Sequence, residues 1–445
     1  MGGGLLQLVA YGAQDAYLSG NPQITFWKGL YKRHTNFAME PFRINLTGQA
    51  NWGVKHSAII GRHADLLYST YLEVVLQPGQ YNNDRGRLGY NLIKYVDLDI
   101  GGQLIDRLYS EWLFLWDCLS SDVSTGQKLS EMVGSKSWWP THTVPNLGQC
   151  SNGRSSAPEV FYIPLRFFFT KNPGAALPLI ALQYHEVKLN IQWNDAKWVA
   201  ANFNSASDIK APVQAAVYID YIYLDVEERR RMAQQSHEYL IEQVQYNEDK
   251  GITTVNNRID LTFNHPVKEL VWVVQPEYYT NCSLAAQKGQ SRLQPFTYDR
   301  DAVYEQWIQI NGQDRMDKRY GSYFNEVQPL QHHTGSSTVW VSKYGPSQGG
   351  ELEQGRTLMG IRNPGMYMYS FALRPEEHQP SGTCNFSRID TATIVMSING
   401  QDYDSTNGYT DIDISLEDPW NVRVYAVNYN ILRIMSGMAG LAYSN

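Results

Sequence analysis

Two stretches of this chain carry the same signature. Residues 100–112 read IGGQLIDRLYSEW and residues 310–323 read INGQDRMDKRYGSY. Ile100 lies on Ile310, Gln103 on Gln313, Asp106 on Asp317 and Tyr109 on Tyr320, at an offset of 210 that becomes 211 after one inserted residue. Each copy is a strand-like run, a Gly-Gly or Asn-Gly pair and a second run, which is the chemistry of a tight two-residue hairpin. Upstream, RHADLLYSTYLEVVL (62–76) resembles RIDLTFNHPVKELVWVV (258–274) at a similar offset. A repeat of about 200 residues is long for a stacked array and right for a domain, so two copies of one domain are expected.

The domain is expected to be all-β. Segments such as YHEVKLNIQW (184–193), AAVYIDYIYLDV (215–226), TATIVMSINGQDYD (391–404) and WNVRVYAVNYN (420–430) are short, β-branched or aromatic, and bounded by turn residues. The 30 Tyr, 12 Trp and 14 Phe favour pleated, half-buried surfaces, while 35 Gly and 19 Pro supply turns between them. At 445 residues and 43% hydrophobic, the chain can bury large cores.

Between the copies lies YLDVEERRRMAQQSHEYLIEQVQ (223–245), the densest charge cluster in the chain. Asp225 and Glu228 have capping-box spacing, and Glu227 and Arg231 stand four apart on one helical face. A short helical linker over 226–237 is expected, fixing one copy against the other. The run Arg229–Arg231 is read as a solvated part of that hinge rather than an anion site.

Several function classes are disfavoured by composition. A net charge of −7 offers no basic field for a phosphate backbone, so direct nucleic-acid contact is not expected. Cys118, Cys150, Cys282 and Cys384 are scattered without disulfide-framework or zinc spacing, and four free thiols are expected. MGGGLLQLVAYGAQDAYLSG lacks a signal-peptide pattern, no long apolar span occurs, and Leu6 stands where a myristoylation motif needs Ser or Thr, so the chain is not expected to span a membrane.

Catalytic constellations fail individually. His185-Glu186 and His237-Glu238 begin like a zinc-protease motif, but Leu189 and Ile241 stand where the second histidine belongs. His332 and His333 are adjacent, so in a strand they would face opposite ways, and they are read as surface or turn histidines. Glu376 and Glu377 in RPEEHQPSG are read as an exposed loop. No catalytic residue, cofactor or metal is expected. The sequons at Asn45, Asn281 and Asn385 are read as chance matches because no secretory signal accompanies them.

Longer strings carry a resemblance. LVAYGAQDAYLSGNPQITFWKGLYKRHTNFAME (8–40), NPGAALPLIALQYHEVKLNI (172–191), DVEERRRMAQQSHEYLIEQVQ (225–245), GSYFNEVQP (321–329), YSFALRPEEHQPSGTCNFSRID (369–390) and NYNILRIMSGMAGLAYSN (428–445) closely resemble the major capsid proteins of nucleocytoplasmic large DNA viruses. The resemblance implies a double jelly-roll, two tandem eight-stranded antiparallel sandwiches. It also implies homotrimeric, pseudo-hexagonal capsomers tiling an icosahedral shell in the virion, assembled in the host cytoplasm, with minor capsid proteins as partners beneath the shell. The expected division is an N-terminal arm (1–24), a first jelly-roll (25–225), the linker (226–237) and a second jelly-roll (238–445). In the arm, Leu5, Leu6, Leu8, Val9 and Tyr11 are too interrupted by glycine for a core strand and too apolar to stay solvated, so they are expected to make assembly contacts. The competing readings are a carbohydrate-binding β-sandwich, which the missing signal peptide and missing acid pair disfavour, and a minor capsid protein of the same viruses, which two similar halves disfavour.

Overall fold

The computed structural model describes residues 2–27, 29, 31–76, 88–134, 159–196, 211–277, 302–335, 366–398, 401–404, 408–411 and 419–443. Two units are distinguished, Met1–Phe37 and Ala38–Asn445. The smaller contains the short helices Gly3–Val9 and Asp15–Ser19.

The first half of the larger unit contributes β1 (Phe37–Asn45), β2 (Lys55–Ile60), β3 (Leu66–Leu76), β4 (Ile93–Ile100), β5 (Gln103–Tyr109), β6 (Glu159–Pro164), β7 (Leu177–Pro178), β8 (Val187–Trp193) and β9 (Gln214–Leu224). The second half contributes β10 (His237–Ile252), β11 (Asn256–Asp260), β12 (Pro266–Pro276), β13 (Val303–Ile310), β14 (Gln313–Asp314), β15 (Arg319–Tyr320), β16 (Met366–Ser370), β17 (Cys384–Asn385), β18 (Ala392–Ile398), β19 (Gln401–Asp404), β20 (Gly408–Asp411), β21 (Trp420–Met435) and β22 (Met438–Leu441). In the first half the sheet orders are β1-β9-β3-β6 and β2-β8-β4-β5; in the second they are β10-β21-β12-β16 and β11-β18-β13-β14. These are one strand order used twice. Every described pairing within these four sheets is antiparallel, so the expected tandem jelly-roll sandwiches are present.

The duplicated signature is the same hairpin in both copies. The β4–β5 turn has Gly101 at φ 61° and Gly102 at φ 85°, closed by Ile100 opposite Gln103. The β13–β14 turn has Asn311 at φ 49° and Gly312 at φ 76°, closed by Ile310 opposite Gln313. Positive φ at both central positions matches the right-handed twist of the flanking strands, which explains why only Gly and Asn occur there.

Burial differs between the copies in an informative way. On β3, Leu72, Val74 and Leu76 are buried while Tyr71, Glu73 and Val75 are half-buried, the alternation of a strand with one covered face. On β12 every residue from Val267 to Pro276 is buried, so both faces are covered. Leu270, Trp272 and Val274 enter the second sandwich core with Ile308, Ile394 and Val424. Val271 and Val273 turn the other way and join the first half's core, in one cluster with Leu108, Trp112 and Phe169. The second sheet is therefore packed against the first sandwich across a continuous apolar seam.

The linker is a helix over Val226–Gln234, but its cap differs from the expectation. Asp225 occupies the N-cap with extended backbone yet makes no side-chain cap bond, and Glu227 pairs with Arg230 at 3.0 Å rather than with Arg231. Asp225 is exposed, so water can satisfy the first-turn amides. What docks the helix is Arg229, whose Nε donates to the buried Asp65 at 2.7 Å, while the Leu224 amide donates to the other carboxylate oxygen at 2.9 Å.

Candidate functional site: a buried polar seam between the two halves

Charges are concentrated where the second sheet meets the first sandwich. Glu111 lies in the first turn of the helix Ser110–Ser120, which follows β5 directly and sets the Trp112 ring 5.6 Å from that of Tyr425 on β21. Its carboxylate accepts Arg423 Nε at 2.7 and 2.8 Å, Arg423 Nη2 at 2.6 Å and the Tyr425 hydroxyl at 2.5 Å. Arg423 Nη2 also donates to Gln275 at 2.7 Å. Burial opposes the charge on Arg423, but Glu111 beside it outweighs that and raises its pKa. Burial, reinforced by Glu111, holds the Tyr425 phenol far above its ordinary value, so it stays a donor.

A second node is built on Glu242 of β10. It accepts Lys171 from the first half at 2.5 Å and Lys268 from β12 at 2.6 Å; Lys268, with no exposed side-chain surface, also donates to the Pro375 carbonyl at 2.5 Å. Both ammonium groups lie over the Trp116 ring, at 4.5 and 5.9 Å from its centroid. Burial pushes the Glu242 carboxyl up, but the two lysines more than cancel it and hold it at about 2. Burial lowers the pKa of Lys268 against the attraction of Glu242.

Further contacts complete the seam. Asp106 of β5 accepts the amides of Arg107 at 2.9 Å and Val244 at 3.1 Å, and burial raises it to about 7. The Gln243 side chain donates to the Ile105 carbonyl and accepts from Asn430 at 3.0 Å. His333 places Nε2 2.8 Å from Glu269 and Nδ1 2.7 Å from Glu376. Burial disfavours its charge, yet Glu269 and Glu376 outweigh that and lift it to about 9, so both ring nitrogens donate. The next residues return to the first half, where the Gly335 amide donates to the Leu119 carbonyl at 2.8 Å.

This arrangement is suited to fixing two bodies. Its carboxylates are held by cations and backbone donors, which orient them and withhold them from a substrate. A cleft of about 690 Å³ opens beside Glu111 and Arg423, and there Glu248 is paired with Lys250 at 3.1 Å. Among the described residues no group of His, Cys, Asp and Glu is arranged to hold a metal, and no helix is long and apolar enough to cross a membrane.

The residues singled out from sequence fall as follows. Leu5, Leu6, Leu8, Val9 and Tyr11 lie in or just after the helix Gly3–Val9, and all are exposed. Asn45 is exposed at the end of β1, and Asn385 is exposed with its side chain accepting the Ser387 amide at 3.1 Å. Asn281, Cys150 and Cys282 lie outside the described residues. Cys118 is buried and Cys384 half-buried. Two readings are corrected. His333 is a buried imidazolium, not a surface histidine, and Glu376 is its partner rather than an exposed loop carboxylate; Glu377 does face solvent, paired with Arg374 at 2.9 Å. The sequence hides this because Glu269 lies 64 residues from His333 and Glu376 lies 43, and no local period links them.

Comparison with known proteins agrees with this architecture. The family model described as major capsid protein N-terminus matches residues 25–225, and that of the large eukaryotic DNA virus major capsid protein matches residues 228–342 and 357–440. The chain is 44% identical over 447 residues to the major capsid protein of Pyramimonas orientalis virus, covering 100% of both chains. It is 38% identical over 481 residues to that of Paramecium bursaria Chlorella virus 1, again covering 100% of both. Among solved structures it is similar to the quasi-atomic PBCV-1 virus capsid, with a TM-score of 0.73 and 35% identity over 95% of this chain and 100% of that one. The Faustovirus major capsid protein, at 12% identity and a TM-score of 0.67 over 96% and 94% of the two chains, shares the fold. With one jelly-roll strand order used twice and family matches along both halves, the chain belongs to the major capsid proteins of large eukaryotic DNA viruses.

Proposed function

We propose that three copies of this chain form a pseudo-hexagonal capsomer, and that such capsomers tile an icosahedral shell. The observation that carries this reading is the repeated strand order: two similar sandwiches in one chain let three copies present six similar lobes. The seam supports it, because buried ion pairs crossing between the halves hold them in one fixed relation, which a repeating tile requires. The working division is an arm over 1–24, jelly-rolls over 25–225 and 238–445, and a linker over 226–237. We read the arm's exposed leucines as contacts to be buried on assembly, and the chain as having no catalytic role. Minor capsid proteins beneath the shell and assembly in the host cytoplasm belong to the same proposal. Light scattering of the purified chain tests it: a mass near 152 kDa, three times the 50.8 kDa chain, is expected, and a stable monomer at micromolar concentration contradicts it.

A further inference from the structure

The contact inside the chain has an unfilled counterpart outside it. In the second half, Val271, Val273, Met366, Met368 and Tyr425 line the outer sheet face that is buried against the first sandwich. The covering side includes Tyr109, whose ring lies 4.6 Å from Tyr246 and 6.1 Å from Tyr425, and Trp112, 5.6 Å from Tyr425. Shared strand order carries these positions onto the first half. Val271 pairs with Tyr425 as Tyr71 pairs with Tyr218, and Val273 pairs with Met366 as Glu73 pairs with Tyr162. The equivalent face of the first sheet therefore presents Tyr71, Tyr162 and Tyr218. Tyr71 and Tyr218 are stacked at 5.2 Å, Tyr162 meets Tyr71 edge-on at 6.0 Å, and Tyr162 remains 37% exposed.

The covering side has a counterpart too. Tyr109 corresponds to Tyr320, which follows the matching hairpin but is 60% exposed. The helix after Tyr109 corresponds to the π-helical turn Tyr323–Val327 and the helix Gln328–His332, where Leu330 is 75% exposed. Charge is complementary: Lys318 and Arg319 precede Tyr320, whereas Glu73 and Asp220 flank Tyr71.

We propose that Tyr320 and the helical turns after it dock on the Tyr71, Tyr162 and Tyr218 face of the next copy, repeating between chains the contact that joins the halves within one. This inference rests on the capsomer reading and names its interface. The contact is head-to-tail, a geometry that forms rings when its rotation closes, and alternating internal and external contacts around three chains place six sandwiches in one ring. A cluster of partly exposed tyrosines on an outer sheet face is also the composition of an interface anchor.

The full chain and its Tyr218→Arg and Tyr320→Arg variants are compared by light scattering and circular dichroism. The native chain should be trimeric, and each variant should fall to the 50.8 kDa monomer with an unchanged spectrum, since neither tyrosine is fully buried. A chain carrying both Tyr218→Cys and Tyr320→Cys, treated with a mild thiol oxidant, should give covalent dimer and trimer bands that neither single variant gives. A monomeric native chain overturns the capsomer reading itself. A native trimer that survives both arginine substitutions, or that cross-links through Tyr218→Cys alone, overturns only the contact. Should an arginine variant lose its spectrum, the cross-link decides.

Discussion

At the scale of single residues, the buried charges make sharp predictions because each has a named partner. Removing Glu111 leaves Arg423 buried without its carboxylate, so Glu111→Ala should destabilise the chain by about 3–5 kcal/mol in chemical denaturation. His333 makes a pH prediction. Its folded pKa of about 9 lies above the ordinary 6.5, so its contribution is fully present below 6.5 and is lost as pH rises through 9. His333→Gln should lower stability at pH 6 and flatten the alkaline limb of a stability-versus-pH curve; an unchanged limb counts against the buried imidazolium. Asp106 runs the other way from Glu242. Glu242, at about 2 against 4.5, stabilises above 4.5 and loses that as pH falls toward 2. Asp106, at about 7 against 3.8, keeps a proton in the folded chain, so stability declines as pH rises from 3.8 to 7. Asp106→Asn retains an acceptor for the Val244 amide without the charge and should therefore be more stable than the native chain at pH 8, by up to about 4 kcal/mol, with little difference near pH 4. Little of this was legible in the sequence. His333 and Glu376 look like turn residues until the fold sets the His333 ring between Glu376 and Glu269 of β12, and Asp106 sits in a strand whose alternation suggests nothing unusual.

Elements were far more legible, because strand and turn chemistry is local. The Gly-Gly and Asn-Gly pairs identified both hairpins, and the positive φ angles at those pairs are the physical reason. At Gly101 an added Cβ would also lie about 2.5 Å from the His185 ring, so Gly101→Ala should cost about 1–3 kcal/mol by thermal denaturation, and Asn311→Gly should cost about 1–2 kcal/mol, because the Asn311 side chain accepts the amides of Asp390 and Thr391 at 3.0 and 3.1 Å. The linker helix was legible from its charges but not its anchor, since Arg229 reaches Asp65 across 164 residues of sequence. β12 and β3 look alike as apolar runs, and only the fold distinguishes a strand covered on both faces from one covered on a single face. The N-terminal segment supplies a test at this scale. Deleting residues 2–22 should leave the circular dichroism of the sandwiches nearly unchanged while weakening shell formation, because burial of Leu5, Leu6, Leu8 and Val9 in an assembly must offset an ordering cost of about 1–2 kcal/mol per backbone residue. Outright unfolding would make the segment core; normal shells from the deleted protein would remove its assembly role.

For the whole molecule, internal duplication links sequence to assembly. It was readable at the hairpin signature and at the stretches ending in β3 and β12, where turn chemistry and apolar patterning resist drift, but not in the seam, where the copies have diverged: Arg423 and Ala216 hold equivalent register positions, opposite Val273 and Glu73. That divergence is what a contact made once within the chain requires of a copy that makes it elsewhere. A continuous apolar seam with charges sealed inside it makes the two sandwiches a single rigid tile, and a tile with two similar lobes is the simplest way for one chain to approximate six-fold packing with three copies. Negative-stain imaging of the purified protein tests this most directly. Uniform ring-like particles with three-fold averages that resolve six lobes are the predicted result, and a homogeneous field of two-lobed single chains would contradict it.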